Sequence, residues 1–176
     1  MRRIALVLVA ASVLSLGVTA GPAFAAKKPA KITDCKKDKS LNANITKAFD
    51  TYLSGDTIDQ QMSLVEKGDV LKPIAEESAA ATKASGQSPK EGFTTLSYGV
   101  KAACDGKKAA TFSYDLSLGV PKPVTGPATS GAGLSFKGDA VLDAKKGVWL
   151  VSAATLCDLW GAGNKATGEK CLAAAG

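Results

Sequence analysis

Few side chains in this sequence have acid–base or metal chemistry to offer. Histidine is absent, which removes the commonest general base at neutral pH. The acid–base groups that remain are Tyr52, Tyr98 and Tyr114, each set on an apolar face, and Asp115 on the polar face of its strand. A tyrosine on an apolar face is most often a core ring whose hydroxyl reaches the rim. A carboxylate with no perturbing neighbour is ordinary surface. No catalytic motif emerges from these residues.

The four cysteines, Cys35, Cys104, Cys157 and Cys171, are the other reactive set. With no histidine and no close-spaced cysteine pair they lack the spacing of a zinc site, so no metal or other cofactor is expected. They read instead as disulfides of an oxidising compartment. Three pairings are open. The short loop between Cys157 and Cys171 favours that pair, which leaves Cys35 with Cys104. A short loop of that kind contributes about 3 kcal/mol by chain entropy, and the longer one somewhat more.

The N-terminus points to the same compartment. Arg2 and Arg3 precede an apolar run, 4–18, and Ala23-Phe24-Ala25 places small residues where a signal peptidase reads. The expectation is a leader over 1–25, cut between Ala25 and Ala26. The run is short for a stable transmembrane anchor, and Gly17 and Gly21-Pro22 end it. A Lys-rich flexible tail over 26–39 and one domain over 40–176 would follow, secreted and at most loosely held at the cell wall.

Charge sharpens this. Beyond the leader there are 20 lysines and no arginine, and from Ser40 onward 14 lysines face 14 carboxylates. The positive excess belongs to the tail. A neutral body without arginine lacks the forked donors that hold phosphates and guanine edges, so nucleic acid is a poor partner. A basic tail can touch anionic headgroups or envelope polymers.

The elements that position these residues divide into helices and then strands. Ile45, Ala48, Phe49, Tyr52 and Leu53 form one helical stripe, with Ser40 or Asn42 as cap. A helical turn over 57–62 and a helix over 69–84 follow, the latter with Val70, Leu71, Ile74 and Ala75 inward and Pro73 in its first turn. The period then changes to two. Leu96, Tyr98, Val100 and Ala102 share a face, as do Phe112, Tyr114, Leu116 and Leu118, and then Leu134, Phe136, Ala140 and Leu142. Because all are even-numbered, a three-residue loop over 105–107, or a bulge with the same effect, brings Val100 opposite Phe112 and Tyr98 opposite Tyr114. The Pro- and Gly-rich stretch 119–133 reads as a long irregular connection, and Gly138 as a bend or bulge. A loop over 143–147 sets Leu142 opposite Val148, turns Trp149 and Val151 to the other face, and so makes the last strand central or wrapped. Ser152 caps a helix over 153–160, and an irregular flap tied by Cys157 closes the chain.

Leu64-Val65-Glu66 with Gly68, together with the run Gly147-Val148-Trp149-Leu150-Val151-Ser152-Ala153-Ala154-Thr155, resembles the secreted low-molecular-weight antigen family of mycobacteria and related actinobacteria. Where that family carries arginine after the last strand's serine, this chain has Ala153. The resemblance implies an α+β fold: N-terminal helices packed on a curved four-stranded antiparallel sheet, a cone of the nuclear-transport-factor-2 or cystatin kind, with a short C-terminal helix. It carries no established enzymatic activity. The wider superfamily includes isomerases and dehydratases, but fold does not transfer chemistry. A carrier is the alternative, with Tyr52, Tyr98, Phe112, Tyr114 and Phe136 lining a cavity for a small apolar ligand. The reading placed first is a non-catalytic exported protein acting by contact, its partner left open between an envelope polymer and a small apolar ligand.

Overall fold

A run of alternating residues long enough for four strands, following helical stripes, folds as that order demands. The computed structural model describes residues 31–86, 92–127 and 135–176. The cleavage pair Ala25 and Ala26, and most of the Pro- and Gly-rich connection, lie outside the described residues. Helices α1 (Leu41–Ser54), α2 (Ile58–Met62) and α3 (Gly68–Ala84) precede strands β1 (Phe93–Cys104), β2 (Ala109–Pro121), β3 (Ser135–Asp143) and β4 (Val148–Val151). Helices α4 (Ala153–Gly163) and α5 (Lys165–Ala175) follow. The strands form one antiparallel sheet in the order β1-β2-β3-β4. The protein is an α+β domain in which helices pack into a curled sheet.

Helix α1 buries Ile45, Ala48 and Phe49, the expected stripe. Ser40 takes the cap position without a side-chain bond. The Asn42 amide oxygen instead accepts from the Ala102 N–H of β1 at 2.8 Å. In α3, Leu71, Ile74 and Ala75 face inward as expected, but Val70 is 53% exposed. Pro73 lies beyond the first turn of that helix.

The β1–β2 turn has three residues, one position later than the sequence suggests. The Asp105 N–H donates to the Ala109 carbonyl at 2.8 Å, and Ala102 stands opposite Phe112. Two bulges then alter the register. Gly99 (φ +63) adds a residue to β1, and Gly119 (φ +68) adds one to β2. Both take the left-handed backbone that a bulge of this kind needs and that glycine adopts without strain. The first bulge reverses the facing of the residues before it: Tyr98 pairs with Asp115, Leu96 with Ser117, and Ser97 with Leu116. Tyr98 therefore leaves the face of Tyr114, and the expected Tyr98–Tyr114 pair is corrected. The second bulge lets β2 continue through Gly119 to Pro121, where an irregular connection was expected.

Gly138 makes no bulge. It pairs directly with Phe112, and a Cβ there would stand 2.7 Å from Thr155 Cγ2 and 2.9 Å from Phe112 Cζ. Its bareness leaves room for both the Phe112 ring and Thr155 of α4. The β3–β4 loop is one residue shorter than expected, so Leu142 pairs with Trp149 and Ala140 with Val151. Trp149 and Val151 thus point to the core, 2% and 1% exposed. Strand β4 is a sheet edge and not a central strand, but the edge is covered by main chain at Val151. The Val151 N–H donates to the Leu64 carbonyl at 2.9 Å, and the Glu66 N–H to the Val151 carbonyl at 2.8 Å.

Two expectations about the termini also change. The expected flap is helix α5, capped by the Asn164 side chain on Thr167 N–H. Glycine content lowers helix propensity, but here it permits contact: a Cβ on Gly168 would lie 2.5 Å from Gly161 Cα. And the tail is partly docked. The compact unit begins at Lys31, Cys35 is 1% exposed within the core, and Cys35–Lys37 form a 3-10 turn capped by Asp34.

Candidate functional site

The interior where a cone would hold a ligand is occupied by rings. Phe49, fully buried on α1, meets Tyr114 with centroids 4.4 Å apart at 61° and Phe112 at 5.7 Å. Phe112 and Tyr114 are 5.4 Å apart, and Tyr114 stacks on Phe136 at 5.5 Å. Tyr52 joins the same cluster through Phe49 at 6.1 Å. Four of the five expected lining residues, Tyr52, Phe112, Tyr114 and Phe136, are therefore together, around a fifth ring that the cavity reading did not include. Edge-to-face contact of this kind adds about 1 kcal/mol per pair beyond burial. Tyr98 stands on the opposite face of the sheet, beside Asp115.

Several polar groups near these rings are committed to bonds within the fold. The Trp160 indole N–H donates to the Tyr52 hydroxyl at 2.9 Å. Burial pushes the Tyr52 hydroxyl up to about 12 against the opposing effect of that bond, and burial likewise pushes Tyr114 up to about 12. Both phenols stay neutral across the physiological range. Asp50, beside Phe49 in sequence, has Oδ1 accepting from the Ser97 N–H at 2.6 Å and the Ser97 hydroxyl at 2.7 Å. Burial raises its pKa above the usual carboxylate range, and the two Ser97 bonds offset part of that. Asp115, the carboxylate weighed as an acid or base, accepts from the Ser135 hydroxyl at 2.8 Å.

The residues that carried the family resemblance meet at one junction. Leu64, Val65 and Glu66 close the β4 edge, and the Glu66 carboxylate accepts from the Ala153 N–H at 3.1 Å at the start of α4. The Ser152 hydroxyl caps the same helix on Thr155 N–H at 3.1 Å. The Thr155 hydroxyl accepts from the Asp139 N–H at 2.6 Å and donates to the Asp139 carbonyl at 3.2 Å. Gly68 has no room for a side chain, since a Cβ would fall 2.2 Å from the Met62 carbonyl oxygen. Leu64, Glu66, Gly68, Val151, Ser152 and Thr155 thus fix how β4, α3 and α4 meet, while Trp149 and Gly147 of the same run face the segment 31–38. Ala153, where the family's arginine would stand, is 5% exposed.

The cysteines pair as the short loop suggested. Cys157 joins Cys171, and Cys35 joins Cys104, with Cα atoms 5.3 and 5.8 Å apart. The second bond fastens the segment 31–38 to the β1–β2 turn, where the Cys35 N–H donates to the Lys107 carbonyl at 2.7 Å. Asp38 completes the attachment. Its carboxylate accepts from Trp149 Nε1 at 2.8 Å, from the Asn44 amide at 2.9 Å and from the Ser40 N–H at 2.9 Å. Burial raises its pKa, but these bonds together outweigh that and hold it below the ordinary carboxylate range. Sequence reading counted Asp38 only as tail charge. The signal that would have placed it is an acidic residue between a cysteine and a helix start, facing a tryptophan on a distant strand.

Outside the core the described residues form open surface grooves. One, about 510 Å³, lies on the outer face of the sheet between Lys101, Lys137, Asp139 and Asp158; another, about 530 Å³, lies beside Leu53, Phe93 and Lys122. Among the described residues no helix is long and apolar enough to cross a membrane. No protein-family model, curated protein or solved structure matches this chain.

Proposed function

We propose that this chain is an exported, non-catalytic domain of the secreted low-molecular-weight antigen type, acting by surface contact at or outside the cell envelope. The observation that carries this reading is the filled interior. Phe49 packs directly on Tyr52, Phe112 and Tyr114, and Tyr114 on Phe136, so these rings contact one another where a ligand between them would lie. Asp50, Asp115 and the Tyr52 hydroxyl are spent on bonds that hold helix to strand, strand to strand and helix to helix. Two disulfides suit an oxidising compartment.

The test is the intact mass of protein recovered from its own culture medium, denatured and then native. The denatured mass is expected to correspond to a chain beginning at Ala26, less about four hydrogens for two disulfides. The native mass is expected to equal it. A reproducible native excess of a few hundred daltons would replace this reading with the apolar-ligand carrier, and a chain that retains its leader inside the cell would remove export.

A further inference from the structure

Three separate segments bring lysines to one end of the sheet. The docked segment supplies Lys31, Lys36, Lys37 and Lys39, the β1–β2 turn Lys107 and Lys108, and the β3–β4 turn Lys145 and Lys146; all are exposed. Their proximity follows from the backbone. Cys35 N–H is bonded to the Lys107 carbonyl, and the Lys108 carbonyl accepts from Leu142 N–H at 2.8 Å. A Cβ on Gly147 would stand 2.6 Å from Lys31 Cγ. The Cys35–Cys104 bond and the Trp149–Asp38 hydrogen bond lock the three segments together.

The charge of this end is uneven with the rest. Its eight lysines face Asp34, Asp38, Asp105 and Asp143, whereas elsewhere among the described residues nine lysines face eleven carboxylates. Three of its four carboxylates are turned toward N–H donors: Asp34 to Lys36 N–H, Asp38 to Ser40, Asn44 and Trp149, and Asp143 to Lys145 and Lys146 N–H. Among the described residues only Lys146 of the eight lysines is ion-paired, with Asp143 at 4.0 Å.

Two features select the partner. Lysine is a compact, mobile point charge without arginine's fork, so it suits closely spaced charges along a flexible chain and not a single geometric anion. And the exposed large apolar side chains among the described residues, Val70, Leu118, Val124 and Leu172, belong to other parts of the fold, so the described residues of this end offer no large exposed apolar group to insert into a bilayer surface. We propose that the turn end of the sheet docks an extended, soluble polyanion. This deepens the contact reading above and rests on it: attachment moves from a flexible tail to a folded, disulfide-locked surface.

The test uses the oxidised chain without its leader and long-chain inorganic polyphosphate as probe. Binding is expected, with the logarithm of affinity falling linearly against the logarithm of salt concentration. The variant K107Q/K108Q/K145Q/K146Q is expected to lose about tenfold or more in low salt, with the salt slope reduced by about three. The charge-matched variant K47Q/K83Q/K137Q/K165Q is expected to stay within about twofold of the parent. Equal losses in the two variants would overturn the surface in favour of net charge alone. So would binding to anionic phospholipid vesicles or duplex DNA without binding to polyphosphate, or no polyphosphate binding at all. Should the first variant unfold more readily than the parent, the pairs K107Q/K108Q and K145Q/K146Q apply the same criterion separately. A first variant that loses polyphosphate yet partitions with the envelope as the parent does would sink the surface as the attachment site and leave the contact reading standing.

Discussion

Two regions of this domain are closed by the same pair of devices, a disulfide and a tryptophan N–H, and they differ in what each device spans. At the turn end, Cys35–Cys104 closes a separation of 69 residues and Trp149 donates to a carboxylate, Asp38. At the helical end, Cys157–Cys171 closes 14 residues and Trp160 donates to a neutral phenol, Tyr52. The first region has no regular element longer than one turn to hold the segment 31–38, so the bond and the charge must do so. The second has two helices already in contact through Gly161 and Gly168. Cross-links of long separation stand in for missing secondary structure; local ones reinforce a packing that exists.

The comparison is sharpened first by removing each bond. C35A/C104A is expected to lower unfolding free energy by about 4 kcal/mol and C157A/C171A by about 3 kcal/mol, because the loop released is longer in the first case. Denaturant unfolding of both variants checks this, and a larger loss in the second would reverse the comparison. Next come the tryptophans. W149F removes a donor to a charged group and part of a fully packed side chain, and is expected to cost about 2 kcal/mol; W160F removes a bond between neutral groups and is expected to cost about 1 kcal/mol. Equal costs would mean that the charge on Asp38 contributes nothing to the turn end.

The smallest effects lie in the pH dependence, where the two regions act on opposite limbs. The folded pKa of Asp38 is lowered, so its contribution is present above the ordinary carboxylate value and is lost as pH falls through the folded one. That of Tyr52 is raised to about 12, so its contribution is present below the ordinary phenol value and is lost as pH rises through the folded one. Asp50, raised by burial, works against Asp38 on the acid side: its contribution is present at low pH and lost as pH rises. Thermal midpoints measured across pH are expected to show D38N flattening the acid limb and Y52F part of the alkaline limb, the rest belonging to Tyr114. A D38N curve that falls as steeply in acid as the parent's would break the assignment.

How much of this was legible in the sequence depended on whether a pattern was local. The stripe on α1, the even-numbered faces of β2 and β3, the disulfide pairing and the α+β order all follow from periodicity or spacing. Tyr98 was misplaced because alternation is silent about bulges: Gly99 looks like any glycine in a strand until its φ is known. Trp149 was turned the wrong way because one residue in a loop reverses a whole strand. Helix α5 was missed because propensity weighs Gly168 against it, whereas the contact with Gly161 and the Cys157–Cys171 bond decide the matter in its favour. Asp38 and Asp50 were unreadable for a different reason. Each bonds to a residue far along the chain, and no spacing rule connects an aspartate to a partner 111 or 47 positions away.

The closing of β4 by Leu64 and Glu66 has a counterpart at the opposite side of the sheet. Strand β1 is the other edge, and two of its N–H groups, those of Ala102 and Ser97, are bonded to Asn42 and Asp50 of α1. An unpaired strand edge is a template on which a second chain can add, the route to domain swapping and fibre growth. Here one edge is occupied by main chain at Val151 and the other is held in part by side chains, so growth along the full length of either edge would first require 64–66 or α1 to peel away. The four-stranded sheet is therefore protected against self-propagation by the same contacts that fix its helices.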